Sequence, residues 1–471
     1  MCSSDLSGRR GRPDFRHAVT LRARLDFGYV AGRPERRFVR IEESNATKKM
    51  GPGILWRGIA ALAVGMLALS AAAKEPLGQG WKKHENLKPV IGADGKPHAA
   101  TCSGYPGTDS KFSFWTKPGK SKNLAVFFEG GGACWDNLTC TFPIDDAVAQ
   151  LNTTPGVPAA AQIPQFFVPA IDANTNPANY DGIFKADNPK NPIKDWTMVY
   201  IPYCTGDLHT GSTTKNYFSA RAAVRQSPLA AALPPLPTAF PIEHRGFDNF
   251  MVVLDWMKKN VDKPKNVLVT GTSAGGYGAT ANFPWIERTF RNAHTYVLAD
   301  ASQGVTVPGF DTGNPGRNSW NMQLDPQVFG TNPSSIAGPD LLRVAAEALP
   351  HVKTAQFTTA FDIVQIQFYA VMKLLYQDPG TCSNPAYDWH NRMVGTLQSY
   401  ASEVDNYRYY VADGTYHTLL RSPQFYAENS TGVNFSDWVE DMLENRGGAR
   451  GHGGGWENEA CASCLVQLPC P

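Results

Sequence analysis

The sequence lacks an apolar run long enough to cross a bilayer. Its longest, IAALAVGMLALS at 59–70, falls well short of the ~20 residues a spanning helix needs, so no stable membrane anchor is expected. Net charge is scarce as well: 44 Lys and Arg stand against 42 Asp and Glu, and charged residues make up 18% of the chain. The balance is uneven. Residues 1–49 hold 12 basic and 6 acidic residues with almost no apolar periodicity, whereas the chain from Lys74 onward holds about 31 and 36. A mildly acidic body of this kind argues against nucleic acid as a partner. Also missing is a second Cys or His pair at ligand spacing to complete a zinc site with Cys461 and Cys464, so neither a metal nor another cofactor is expected. No internal repeat or clear linker interrupts the body, which reads as a single domain over 74–471 and as a monomer.

What precedes the body has a different character. KKMGPGILWRG (48–58) is a basic n-region, the run at 59–70 an apolar h-region and AAAK (71–74) a small-residue cleavage site. Together they predict a secretory signal peptide over 50–73. Residues 1–49 are then a disordered or non-native extension, and the opening MCSSDL back-translates to something like the end of a sequencing adapter. Past the expected cleavage point stand eight cysteines: Cys102, Cys134, Cys140, Cys204, Cys382, Cys461, Cys464 and Cys470. An even number suits disulfides in an oxidising compartment, either periplasmic or extracellular. Cys134 and Cys140 are close enough to close a small loop; the pairing of the other six stays open.

Within the body, short apolar runs rich in Val, Tyr and Phe predict strands at 123–131, 196–204, 266–276 and 295–302, with a fifth at 407–414. Near-continuous runs of this kind belong to parallel strands buried on both faces. Helical spacing predicts helices at 247–261, 279–290 and 361–377. Strand and helix alternate, which predicts an α/β fold: a mostly parallel sheet flanked by helices. The stretches 141–195, 211–241 and 302–335 carry turn chemistry and read as long loop insertions that shape a site. The glycine-rich segment 447–456 reads as a flexible tail stapled by the cysteines after it.

One turn carries chemistry. GTSAGGYGA (271–279) follows a predicted strand and precedes a helix, the context a nucleophile elbow requires, and it presents Ser273 as candidate nucleophile. The helix start at Ala274 supplies an N–H where an oxyanion would form. EGGGACW (129–135) ends the first strand; its triple glycine lets backbone N–H groups approach a ligand, so Gly131 and Gly132 are candidates for the rest of an oxyanion hole. Glu129 reads as structural, bonding to loop backbone. A serine needs a base. Of His294, His351, His390, His417 and His452, only His417 follows a late strand, the place expected for the base. For the acid, strand position alone favours Asp300 over Asp362. Asp207 and His209, in PYCTGDLHTG (202–211), are candidates for lining a pocket or for a capped turn held by Cys204. Trp196, Trp320 and Trp389 can stack on sugar rings or pack in the core.

EGGGACW, GTSAGGYGA, DASQG, FDIVQ and DGTYHTLL, in this order between residues 100 and 420, resemble the pectin acetylesterase family, which includes animal Notum-type carboxylesterases. The resemblance implies an α/β-hydrolase variant whose acid is Asp362 of the FDIVQ motif, with Gln365 as a polar partner and Asp300 supporting or lining the site. It implies a serine carboxylic ester hydrolase acting on an acetylated polysaccharide such as pectin. Two departures bear on the substrate. Ala133 stands where plant members carry tryptophan, with Trp135 coming after Cys134, and DGTYHT lacks a second nearby histidine. These leave open a lipase-like esterase or polyester depolymerase for longer acyl chains, and, from another class, a noncatalytic carbohydrate-binding protein. The leader reading carries its own test: mass spectrometry of the exported protein is expected to find an N-terminus near Lys74, and peptides from before Met50 would overturn it.

Overall fold

The computed structural model describes residues 80–145, 152, 163–173, 175–221, 233, 235–444 and 455–470. The expected extension, the leader over 50–73 and most of the glycine-rich tail with His452 lie outside the described residues.

Among the described residues nine strands form the central sheet: β1 Lys82–His84, β2 Phe114–Lys117, β3 Asn123–Phe128, β4 Thr197–Ile201, β5 Asn266–Thr272, β6 His294–Asp300, β7 Lys353–Thr359, β8 Tyr407–Ala412 and β9 Glu459–Ala460. Their spatial order is β1-β2-β4-β3-β5-β6-β7-β8-β9. The pairs β1·β2 and β2·β4 are antiparallel, and every later pair is parallel. Parallel neighbours need crossovers, and the helices α1 Gly246–Asn260, α2 Ala274–Thr289, α3 Ile363–Tyr376 and α4 Pro385–Glu403 lie in them; α5 Phe435–Leu443 follows β8.

The strands are buried on both faces, which is why their runs are apolar without alternation. In β3, Leu124, Val126 and Phe128 pack into one core with α1, α2 and α4, while Ala125 and Phe127 face a second core with Phe184, Trp196, Phe435 and Trp438. Each fully buried side chain of this size contributes roughly 1.5–3 kcal/mol, so the two layers hold the sheet in place from both sides.

Three expectations need amending. The stretch 211–241 is not all loop: Thr213–Phe218 pairs with Ala239–His244 as an antiparallel hairpin. Strand β7, KTAQFTT, escapes an apolar pattern because it is largely polar, yet Thr354, Gln356, Thr358 and Thr359 are all buried. Each of the four finds a partner: Gln356 bonds the Ser302 carbonyl (3.0 Å) and the Tyr407 hydroxyl (2.8 Å), Thr354 and Thr359 donate to backbone carbonyls, and Thr358 accepts from Gln365. Finally, α4, a full helix of 19 residues, lies outside the helices expected at 247–261, 279–290 and 361–377.

The cysteines pair as Cys102–Cys204, Cys134–Cys140, Cys382–Cys470 and Cys461–Cys464. The first spans 102 residues and ties the segment before β2 to the end of β4. A crosslink of that span restrains the unfolded chain strongly. Replacing Cys102 and Cys204 together by serine is expected to lower the unfolding free energy by about 2–5 kcal/mol in non-reducing urea titrations; an unchanged midpoint and slope would show that this bridge contributes nothing.

Candidate active site

The turn between β5 and α2 is built around a strained serine. Ser273 has φ +55° and ψ −125°, a conformation that L residues avoid and that persists only where the surroundings enforce it. The enforcement is visible: Ser273 N donates to the Asp300 carbonyl (2.7 Å), and its own carbonyl accepts from Ser302 Oγ (2.6 Å) and Gly276 N (2.9 Å). Strand and helix also approach so closely that a side chain at Gly275 would collide with the Phe128 carbonyl. As the first residue of α2, Ala274 has an N–H that the helix's own ladder leaves free.

Gly132 follows β3 at φ +72°, where a side chain would collide with the Phe166 carbonyl. It bridges Phe167, and the two flanking bonds run from Ala133 N to Phe166 O and from Val168 N to Gly131 O, both 2.9 Å. The Gly132 N–H takes no part in either bond. Gly132, Ala274, Ser273 and His417 line one cavity; Gly131, next in the chain, does not.

His417 lies in the loop after β8. Its Nδ1 is 2.9 Å from both oxygens of Asp362, so the proton sits on Nδ1 and is donated to the carboxylate. Nε2 then carries a lone pair, and it is buried with no hydrogen-bond partner among the described residues. Asp362 caps α3 and is fully buried. It also accepts from Val364 N (3.1 Å), Gln365 N (3.0 Å) and Gln365 Nε2 (3.0 Å). Gln365 is in turn held by Gln303, whose N–H donates to its Oε1 (3.0 Å) and whose Oε1 accepts from its Nε2 (2.8 Å).

Asp300, the acid that strand position favours, does not bond His417. It is fully buried, and its Oδ2 accepts from Leu419 N (2.9 Å) and Leu420 N (3.0 Å), pinning the loop just after His417. Burial pushes its carboxyl up to about 7, against the opposing pull of those amides and of nearby His417. Arg421 ties the same loop to Glu129 (3.1 Å), which also accepts from Tyr180 (3.0 Å) and from Tyr203 N (3.1 Å). Asp207 and His209 lie buried behind the cavity, while Leu208 and Thr210 line it. Asp207 accepts from Thr205 Oγ1 and from the Gly246 and His209 amides, and burial raises its carboxyl to about 6. His209 Nε2 donates to the Glu129 carbonyl (2.8 Å), and burial lowers its imidazole to about 4, so the ring is neutral.

The cavity measures about 90 Å³, several times the roughly 10–15 Å³ that a single water requires. Its walls are mostly apolar: Trp135, Val305, Phe310, Trp320, Phe368 and Trp389 among them. Trp135 reaches the cavity although it stands two positions beyond Ala133, which lines it as well. Trp320 and Trp389, each 1% exposed, line the cavity and also pack in the adjoining core, and Trp196 belongs to the core on the other face of the sheet. Gln303 and Arg421 went unremarked in the motifs, although the first stands within DASQG and the second follows DGTYHTLL directly. Among the described residues, the groupings of possible metal ligands are Cys134, Cys140 and His244, and Asp413, Cys461 and Cys464. In both the sulfurs are committed to a disulfide.

The sheet order, the strand–turn–helix at Ser273 and a late-strand histidine loop define the α/β-hydrolase-like class. A model of the pectinacetylesterase family matches residues 94–411, more than half of the chain, and the chain belongs to that family, a family of carboxylesterase-type hydrolases. Among solved structures it is similar to the Wnt deacylase Notum from Drosophila, with 17% identity over 82% of this chain and 100% of that one and a TM-score of 0.47. No curated protein matches it.

The position of Asp300 has a measurable consequence. A free aspartate titrates near ~3.9, so between about pH 4 and 7 the folded chain binds a proton that the unfolded chain does not. This contribution to stability is present at low pH and lost as pH rises toward 7. Asp300→Asn keeps an acceptor for Leu419 and Leu420 and does not titrate. Its urea midpoint relative to wild type is expected to rise between pH ~4.5 and ~7.5; a constant difference across that range would contradict the assignment.

Proposed function

We propose that the chain is a secreted serine carboxylic ester hydrolase. Ser273 Oγ attacks the ester carbonyl while His417 Nε2 takes its proton. Asp362 holds the ring with Nδ1 protonated and stabilises the imidazolium that forms. The N–H groups of Gly132 and Ala274 donate to the tetrahedral oxyanion, where fixed donors in a water-poor site act most strongly; Gly131, outside the cavity, is left out of that role. The imidazolium then protonates the leaving alcohol, and a water activated by His417 releases the acyl group. The observation that carries this reading is a buried, unpartnered His417 Nε2 in the wall of the cavity that Ser273 also lines. A noncatalytic carbohydrate-binding protein has no use for that arrangement.

Family membership favours acetyl groups on a polysaccharide such as pectin as the substrate. A second reading, esters of longer acyl chains, is favoured by the size and apolar walls of the cavity, which exceed what an acetyl group fills. The four disulfides suit the oxidising compartment that export would reach.

Hydrolysis of 4-nitrophenyl esters from acetate to palmitate distinguishes the two. Activity confined to acetate supports the polysaccharide deacetylase, and a maximum at four or more carbons supports the longer-chain enzyme. In either case Ser273→Ala is expected to lose on the order of 10⁴-fold or more in kcat, and Asp362→Asn on the order of 10⁴-fold. A Ser273→Ala protein with near-normal turnover would remove the proposal.

A further inference from the structure

The cavity beside Ser273 has a second polar end. Arg317, 3% exposed, lines it at the start of the short turn Arg317–Trp320. Its guanidinium is only partly satisfied. Nε donates to the Asp311 carbonyl (3.0 Å) and stands 3.4 Å from Asp311 Oδ1; Nη2 donates to the Ile336 carbonyl and lies 3.5 Å from that of Ser334. Nη1 is buried and finds no hydrogen-bond partner among the described residues. Asp311 also accepts from Thr306 Oγ1 (2.7 Å) and Gly338 N (3.2 Å), and Thr306 and Gly338 line the cavity beside Arg317. The carboxylate thus organises one pole of the cavity. None of these bonds reaches Ser273 or His417, which line the same cavity.

A charged donor withdrawn from water and left unpaired carries its full desolvation cost. The mechanism gives Arg317 nothing to do, and no contact with Ser273 or His417 explains it. An oxygen delivered by a bound molecule would complete its hydrogen bonding. The charge of that oxygen follows from the surroundings: Asp311 already offsets the guanidinium, and the remaining walls are mostly apolar with no second Lys or Arg among them, so an entering carboxylate would bring an uncompensated charge.

We propose that Arg317 is a specificity-determining residue. Its Nη1 donates a hydrogen bond to a neutral hydroxyl or carbonyl oxygen on the acyl chain remote from the ester, so that the cavity selects hydroxy- or oxo-substituted acyl groups over plain alkyl chains of equal length. The inference rests on the assignment of Ser273 as nucleophile and deepens it by naming the acyl class. A site arranged to hydrogen-bond an oxygen discriminates against the analogue that lacks it, because the donor is then stranded.

The test uses 4-nitrophenyl esters of 4-oxopentanoate, 5-oxohexanoate and 6-oxoheptanoate, each beside the alkyl ester of equal length, with the hemisuccinate as the charged control. At least one oxo ester is expected to exceed its alkyl partner in kcat/KM on the order of 10- to 100-fold, the gain typical of a hydrogen bond to a charged group. The hemisuccinate is expected to show no such gain, and Arg317→Met to bring the oxo-to-alkyl ratio near unity. Alkyl esters that match or exceed their oxo partners throughout the wild-type series would overturn the proposal, and that comparison holds even if Arg317→Met fails to fold. Preference for the hemisuccinate would overturn the neutral-ligand assignment. Calorimetry of Ser273→Ala with the same pairs reads binding without turnover: equal affinities sink the role of Arg317, whereas a Ser273→Ala protein that still hydrolyses them sinks the nucleophile instead.

Discussion

The geometry around the candidate site depends on one buried carboxylate. Asp362 is removed from water and accepts from Val364 N, Gln365 N, Gln365 Nε2 and His417 Nδ1. An ionised group in that position is tolerable only because donors and the amino end of α3 surround it. The same bonds orient His417: with Nδ1 committed as donor, Nε2 is the nitrogen left to accept a proton. Gln365 and Gln303 extend the network to β7 and to the segment that follows β6, so the acid cannot turn without breaking several bonds at once.

The histidine loop is held from three further directions. Asp300, at the end of β6, takes the amides of Leu419 and Leu420; Glu129, at the end of β3, pairs with Arg421; and Ile183 N donates to the Leu420 carbonyl. Glu129 is also the residue immediately before the triple glycine, and its carbonyl receives His209 Nε2. One short segment thus connects the glycine loop to the histidine loop. Asp207, His209 and Asp300 are titratable residues at the back of the site, and their burial shifts fit braces better than groups in contact with substrate.

How much of this was legible in the sequence varies with the element. Strands β3, β4, β5, β6 and β8 are readable because burial on both faces demands unbroken apolar runs. β7 is not, since Thr354, Gln356, Thr358 and Thr359 are satisfied by groups on neighbouring segments, which a local pattern cannot register. That strand delivers Asp362, so the failure falls beside the candidate site, where local rules are most often broken. Position at a strand end favoured Asp300, and only the family resemblance pointed to Asp362. Asp207 and His209, read as pocket candidates, lie behind it, because their turn folds inward against Gly246 and Gly278.

By itself the sequence determined the α/β class, the elbow at Ser273 with its glycine-rich partner loop, and the count of cysteines available for bridging. These are local properties: residue type, periodicity and spacing within a few turns of chain. Tertiary structure alone decided how Cys102, Cys204, Cys382 and Cys470 pair and that Arg317 stands in the wall of the cavity Ser273 lines, and it set against His417 the carboxylate that strand position ranks second. Each joins residues dozens of positions apart, and such meetings are set by how the strands order in the sheet rather than by any pattern along the chain.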